Sequence, residues 1–182
     1  MRILGIDPGS SVTGYGVVEH VGAELHHLAH GTLRPPRNQE LAVRLAAIQS
    51  GLVEVIEGHA PDLAVVEQVF VASSPRSALI LGQARGVVLA AAAAAGLPVE
   101  EVSAREVKQA VVGSGAAEKA QVQAMVKQIL RLDRKPPQDA ADALAAAICS
   151  AHRGRLVGLA RGAPRRSSRP RRSAAGFVVR RS

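Results

Sequence analysis

Arg2-Ile3-Leu4-Gly5-Ile6-Asp7-Pro8-Gly9 opens the chain, and Gly14-Tyr15-Gly16-Val17-Val18-Glu19 follows almost at once. From Ile3 to Ile6 every residue is apolar or Gly, which marks a buried strand, and Pro8-Gly9 is a turn signal. Asp7 therefore falls at the end of a strand, where an unpaired buried charge would be costly. The turn bends the backbone away and leaves the carboxylate at the end of the sheet. Gly14–Glu19 and Glu24–Leu33 read as two more strands, joined by a short turn near Val21-Gly22.

Further along, Pro35-Pro36 breaks the chain, and Asn38 is expected to cap a helix with Leu41, Leu45, Ile48, Leu52 and Val55 at helical spacing, ending at Gly58. Leu63–Glu67 reads as a central strand covered on both faces. A loop over Val69–Pro75 leads to a long helix, Ser77–Ala95, stopped by Gly96 and Pro98. Val99–Val102 is a fifth strand. Helical stretches follow at Ala104–Val112 and Ala117–Leu132, and a last helix is predicted over Gln138–His152. A three-stranded meander that switches to crossover units implies an α/β fold, a mixed five-stranded sheet with helices on both faces.

Composition narrows the function. The 182 residues carry a formal net charge of +8, but residues 151–182 contain ten Arg and no acid. The rest of the chain is nearly neutral. A folded body over 1–154 and an Arg-rich tail over 155–182 are therefore expected, the tail disordered and attractive to phosphates without sequence preference. Aromatic residues make up 2%, against a stacking platform for single strands. The single Cys149 excludes a disulfide framework and a thiolate zinc cage and fits a reducing cytosol. The longest apolar run, Gly86–Leu97, is short of the ~20 residues of a membrane span. With Met1 leading straight into a strand, neither a signal peptide nor a membrane partner is expected, and the cytoplasm is the expected location.

The carboxylates carry the chemistry. Glu67 ends its strand as Asp7 does, so parallel neighbouring strands would aim both into one crevice. Asp139 and Asp142 lie three apart in the first turn of an Ala-rich helix and share a face. Singly, these acids could cap a turn, meet a helix dipole or pair with an Arg. Together, without enough local basic partners, they call for a cation. Hard oxygen donors select Mg²⁺ or Mn²⁺ over zinc. Two such ions about 4 Å apart are suited to phosphodiester hydrolysis.

The stretch Ile3–Val18 resembles the opening motif of the RuvC family, bacterial Holliday-junction resolvases. The resemblance continues through Val66–Phe70, Ser77–Gly86, Val107–Gly115, Ala117–Val122 and Asp139–Ala145, in the family's order, over residues 1 to about 152. It implies a ribonuclease-H-like fold, a homodimer, and Mg²⁺-dependent paired nicking of four-way junction DNA with two ions per subunit. It also implies partnership with the RuvA–RuvB branch-migration complex. The family's catalytic and metal-binding acids fall on Asp7, Glu67, Asp139 and Asp142. Lys108 and Lys119 fall on junction-phosphate positions. Phe70 is read as an exposed wedge stacking on a base at the junction centre, and Arg76 as a base or phosphate contact. The Arg-rich tail lies outside the resemblance.

Ala78, Gly82 and Gly86 form a small-residue stripe that suits either a dimer interface or packing inside the subunit. His20, His26, His27, His30 and His59 show no ligand spacing and are assigned to the surface or strand edges. Gly5-Ile6-Asp7-Pro8-Gly9 also resembles the first phosphate loop of actin-like ATPases, but that class needs two such domains. The nearest rival function is a ribonuclease-H-type nuclease acting on another branched or hybrid nucleic acid.

Overall fold

The computed structural model describes residues 1–68 and 74–161. Five strands, β1 (Arg2–Asp7), β2 (Thr13–Val21), β3 (Glu24–Leu33), β4 (Leu63–Gln68) and β5 (Val99–Ser103), form one sheet in the order β3-β2-β1-β4-β5. β1, β2 and β3 pair antiparallel, while β1–β4 and β4–β5 are parallel. The meander followed by crossovers is the mixed topology expected. The helices are α1 (Leu41–His59), α2 (Pro75–Ala94), α3 (Ala104–Val112), α4 (Lys119–Ile129) and α5 (Gln138–Arg161).

Alternation along β1 and β4 sorts the core into two layers. Leu4, Ile6, Ala64 and Val66 pack with Ile48, Leu52, Ala84 and Val88 of α1 and α2. Ile3 and Val65 pack on the other face with Val107, Val122, Leu144 and Ile148 of α3, α4 and α5. Asp7 and Glu67 share parity with Ile3 and Val65, so both belong to the face covered by α5.

α5 approaches that face closely because β1 and β2 carry glycine there. A Cβ at Gly5 would overlap the Ala143 carbonyl, one at Gly14 the Asp139 carbonyl, and one at Gly16 the Leu144 side chain. The alanines of α5, from Ala140 to Ala147, are fully buried against this seam. Main chain lies on main chain, and the helix start is held over the ends of β1 and β2.

Several helix ends differ from expectation. The N-cap of α1 is Glu40 rather than Asn38, with no side-chain cap bond, and the helix runs through Gly58 to His59 before Ala60 turns left-handed. α2 starts earlier, at Pro75, where Ser74 accepts from the Ser77 amide. α3 has its full capping box, Ser103 with Glu106. α5 continues past His152 to Arg161. The expected disorder of residues 155–182 concerns residues that beyond 161 lie outside those described.

One sequence expectation is corrected. α2 is long and apolar enough, by length and composition, to cross a membrane, and 22% of that stretch is buried in the protomer. Counting uninterrupted apolar runs overlooked it because Arg85 divides the stretch. Arg85 is not free: it forms an ion pair with Glu101 at 2.6 Å.

Candidate active site

Asp7, Glu67 and Asp142 line a single cleft of about 470 Å³ beyond the carboxyl ends of β1 and β4, together with Gln68, Lys108 and Lys119. The position follows from the register. Ile6 pairs with Val66 in the parallel ladder, so the next residues, Asp7 and Glu67, stand side by side at the strand ends. The turn after β1 is tied down by Thr13, buried, whose hydroxyl donates to the Gly9 carbonyl at 2.8 Å. Arg44 of α1 also reaches this turn, donating to the Ser10 carbonyl and to the Ser11 hydroxyl.

Asp142 comes from α5 and is held from two sides. Gln138, one helical turn earlier, donates to its Oδ1 at 2.9 Å, and Lys119 Nζ lies 3.5 Å from its Oδ2. Asp139 sits in the first turn of α5, half-buried and outside the cleft lining. It is still near enough for its charge to act on Asp7 and Asp142.

The electrostatics are those of crowded anions. Burial, then the charges of Glu67, Asp142 and Asp139, pushes the Asp7 carboxyl up to about 7, against the pull of Lys119. Burial and Asp142 raise Glu67, opposed by Lys119 and Lys108. Burial raises Asp142 as well, with Lys119 and Gln138 lowering it. Lys119 in turn is raised, chiefly by Asp142. Carboxylates that resist ionising together in a cleft lack positive charge.

The donor set, carboxylate oxygens with an adjacent amide oxygen on Gln68, suits a hard divalent cation. Among the described residues, however, no group of three or more His, Cys, Asp or Glu stands arranged to hold an ion. Asp142 is engaged instead by Lys119 and Gln138.

Of the expected nucleic-acid contacts, Lys108 and Lys119 are brought into the cleft. Arg76 is exposed in the first turn of α2 and is not part of the cleft lining. Phe70 lies outside the described residues. Sequence reasoning missed Gln138 and Thr13. Gln138 was detectable, since it precedes Asp142 by four on one helix and so shares its face. Thr13 gave no comparable pattern.

The Gly14–Asp139 contact predicts a graded result. Gly14→Ala must displace the start of α5, and is expected to cost ~1–3 kcal/mol by overpacking, read by thermal unfolding. A carboxylate displacement of this kind should lower the activity of the site ~100-fold. Gly58→Ala, in α1 with nothing near its Cβ, should be neutral or stabilising by up to ~1 kcal/mol.

A mixed five-stranded sheet with acids at the ends of its parallel strands and on the helix across it defines a ribonuclease-H-like nuclease. Within that class the chain belongs to the RuvC family: the family described as "Crossover junction endodeoxyribonuclease RuvC" matches residues 3–150. The curated relative of that name from Geobacter sulfurreducens is 53% identical over 152 residues, which is 84% of this chain and 93% of the relative. Among solved structures, RuvC of T. thermophilus in complex with Holliday junction substrate superposes with a TM-score of 0.81 at 36% identity, covering 86% of this chain and 96% of that one. The yeast mitochondrial Holliday junction resolvase Ydc2, at 15% identity and a TM-score of 0.66 (88% and 81% covered), shares the fold.

Proposed function

We propose that this protein is a Holliday junction resolvase, a metal-dependent endonuclease that makes paired nicks in opposed strands of a four-way junction. The observation that carries the reading is the convergence of Asp7, Glu67 and Asp142 in one cleft beside Lys108 and Lys119, in a chain of the RuvC family. Asp7, Glu67, Asp139 and Asp142 are the catalytic acids and would hold Mg²⁺, or Mn²⁺, as a pair of ions. When bound, such ions polarise the scissile phosphate and generate the attacking hydroxide. Gln138 orients Asp142. Lys119 and Lys108 supply positive charge at the cleft, where a phosphate oxygen enters. Arg76, in the first turn of α2, contacts the DNA beside the cleft.

One set of acids serves one strand, so paired cuts require two subunits about a twofold axis. The outer face of α2 suits that role. Ala78, Leu79, Gly82 and Gly86 are exposed on it, Leu79 to 70%, and a Cβ at Gly82 or Gly86 meets nothing within 4 Å. Packing inside the subunit, the other use foreseen for this stripe, does not occur among the described residues. Partnership with a RuvA–RuvB complex and a cytoplasmic location accompany this reading on family resemblance.

The test is cleavage of a synthetic four-way junction beside linear duplex and RNA–DNA hybrid controls. Symmetric nicks confined to the junction are expected with Mg²⁺. Preferential cutting of the hybrid would establish the rival ribonuclease-H-type activity instead.

The basic tail gives a separate expectation. Removing residues 162–182 deletes seven Arg and leaves α5 complete. Non-specific duplex affinity and its salt slope should both fall, since fewer counterions are released, while junction cleavage at low salt persists. An unchanged salt slope in a filter-binding titration would mean that the tail does not touch DNA.

A further inference from the structure

A second cavity, of about 1060 Å³, shares no lining residue with the carboxylate cleft. One wall is β3, the other is the connection between α4 and α5, and His152 of α5 contributes to it. A β-bulge builds its most unusual feature. Val17 pairs with Ala29 but Val18 pairs with His27, so Leu28 is the extra residue. Residues three apart on a regular strand face opposite sides. The bulge resets the alternation and brings His27 and His30 to the same face. Their rings meet there, with Nε2 of His27 2.7 Å from Nδ1 of His30.

Two imidazole nitrogens at that distance share one proton, one donating and the other accepting. A second proton would set two cations against each other. Opposite them the α4–α5 connection supplies Arg131, Arg134 and Lys135. Arg131 is in the left-handed region, with φ 51°, and turns the chain at the end of α4. The fixed acids of the cavity are Glu24 on β3 and Asp133 in the connection. Glu24 is engaged by His26 at 3.5 Å. From α5, His152 lies with Nδ1 3.2 Å from the Ala110 carbonyl, which fixes Nδ1 as its donor nitrogen. Three permanent cations therefore face two permanent anions.

We propose that this cavity is a phosphate-group site, in which the His27–His30 pair and the cations Arg131, Arg134 and Lys135 hold a tetrahedral oxyanion. The paired rings become two convergent N–H donors when the second proton arrives, and the oxyanion compensates their repulsion. Burial, then the neighbouring His30, lowers His27 from its usual value, so the empty cavity resists its protonation and a bound anion favours it. Binding is thus tighter in mild acid. The site stands apart from the acids of the cleft, and this inference does not depend on the cleavage reading.

Sulfate is the probe, because its charge is constant between pH 5 and 8. In the full chain, histidine-ring NMR during a sulfate titration at constant ionic strength should show saturable shifts of His27 and His30 at pH 5.5. At pH 7.5 the affinity should be at least tenfold weaker. Arg134→Gln with Lys135→Gln, both exposed positions, should weaken binding at pH 5.5 at least fivefold. His27→Gln should remove the pH dependence. Shifts that do not saturate, or that are unaffected by the Arg134/Lys135 double variant, overturn the proposal. Adenosine monophosphate and an unbranched DNA duplex then separate a free phosphate ester from a backbone phosphate. Movement of the same resonances by either one supports the site and names its source. Movement by neither means that sulfate is an adventitious ion only, and the phosphate reading fails.

Discussion

Asp7→Asn is expected to abolish cleavage, with a loss of at least ~10³-fold, and at the same time to make the metal-free protein more stable. Both effects come from the same charge. Asp7 is central to the cleft: it is flanked by Glu67, faces Asp142, and feels Asp139. Replacing its carboxylate with an amide removes a hard anionic donor that a divalent cation requires. Junction binding should persist, because no phosphate repulsion is added and Lys108 and Lys119 remain.

The stability gain follows from linkage. The folded-state pKa of Asp7, about 7, lies above its ordinary 3.8. Ionising it therefore opposes folding. That cost is absent below about pH 4, grows as pH rises, and is complete above pH 7, where it amounts to ~4 kcal/mol at most. Without metal, wild type should thus gain stability as pH falls from 8 to 5, and Asp7→Asn should flatten that slope. At pH 8 the variant should melt several degrees higher. Calorimetry in the presence of a chelator checks both. If the variant melts lower than wild type at pH 8, the charge crowding described for the cleft is wrong.

The proton on Asp7 also opposes the ion. Metal affinity should rise with pH up to about 7 and level off above it, since below that value loading must release a proton. Titration of Mn²⁺ by calorimetry in buffers of different ionisation enthalpy would count that proton.

Gly86→Glu is expected to convert the proposed dimer to a folded monomer that no longer makes paired incisions. Gly86 is exposed on α2 and a Cβ there meets nothing within 4 Å, so the protomer accommodates the longer side chain. Far-UV circular dichroism should be unchanged. In the dimer the same position would place two glutamates about a twofold axis, each desolvated against the other. Sedimentation should show the monomer, and coordinated cuts in one junction should fall ~100-fold. Single nicks at high enzyme concentration are the residual activity. A variant that still sediments as a dimer would remove this face of α2 from the interface. Wild type that stays monomeric with and without DNA would remove the dimer itself.

The parts legible in the sequence are those with a short-range cause. Asp7 and Glu67 announce themselves as charges ending apolar strands, and the ladder of β1 and β4 sets them side by side. The Ala-rich face of α5 foretells its close approach to the sheet. The meander of β1–β3 follows from turn residues and spacing. What was hidden depends on through-space partners. Asn38 could cap a helix, yet α1 begins after Glu40. The bulge at Leu28 has no composition signal, so the pairing of His27 with His30 is invisible in the sequence, which places both at the surface or strand edges. They do lie on an edge strand, but facing each other. Gln138 is uncharged, and only its spacing of four from Asp142 marks it in the sequence.

The glycine seam beneath α5 has a genetic meaning. Most cores tolerate change because a neighbour can shrink when a residue grows. Here the neighbour of Gly5 and Gly14 is a carbonyl of the backbone, which no substitution makes smaller. Lesions at these two positions should therefore have few local suppressors. Those that arise in a selection should map to Pro136-Pro137 and the rest of the short connection into α5, where the whole helix can be reseated.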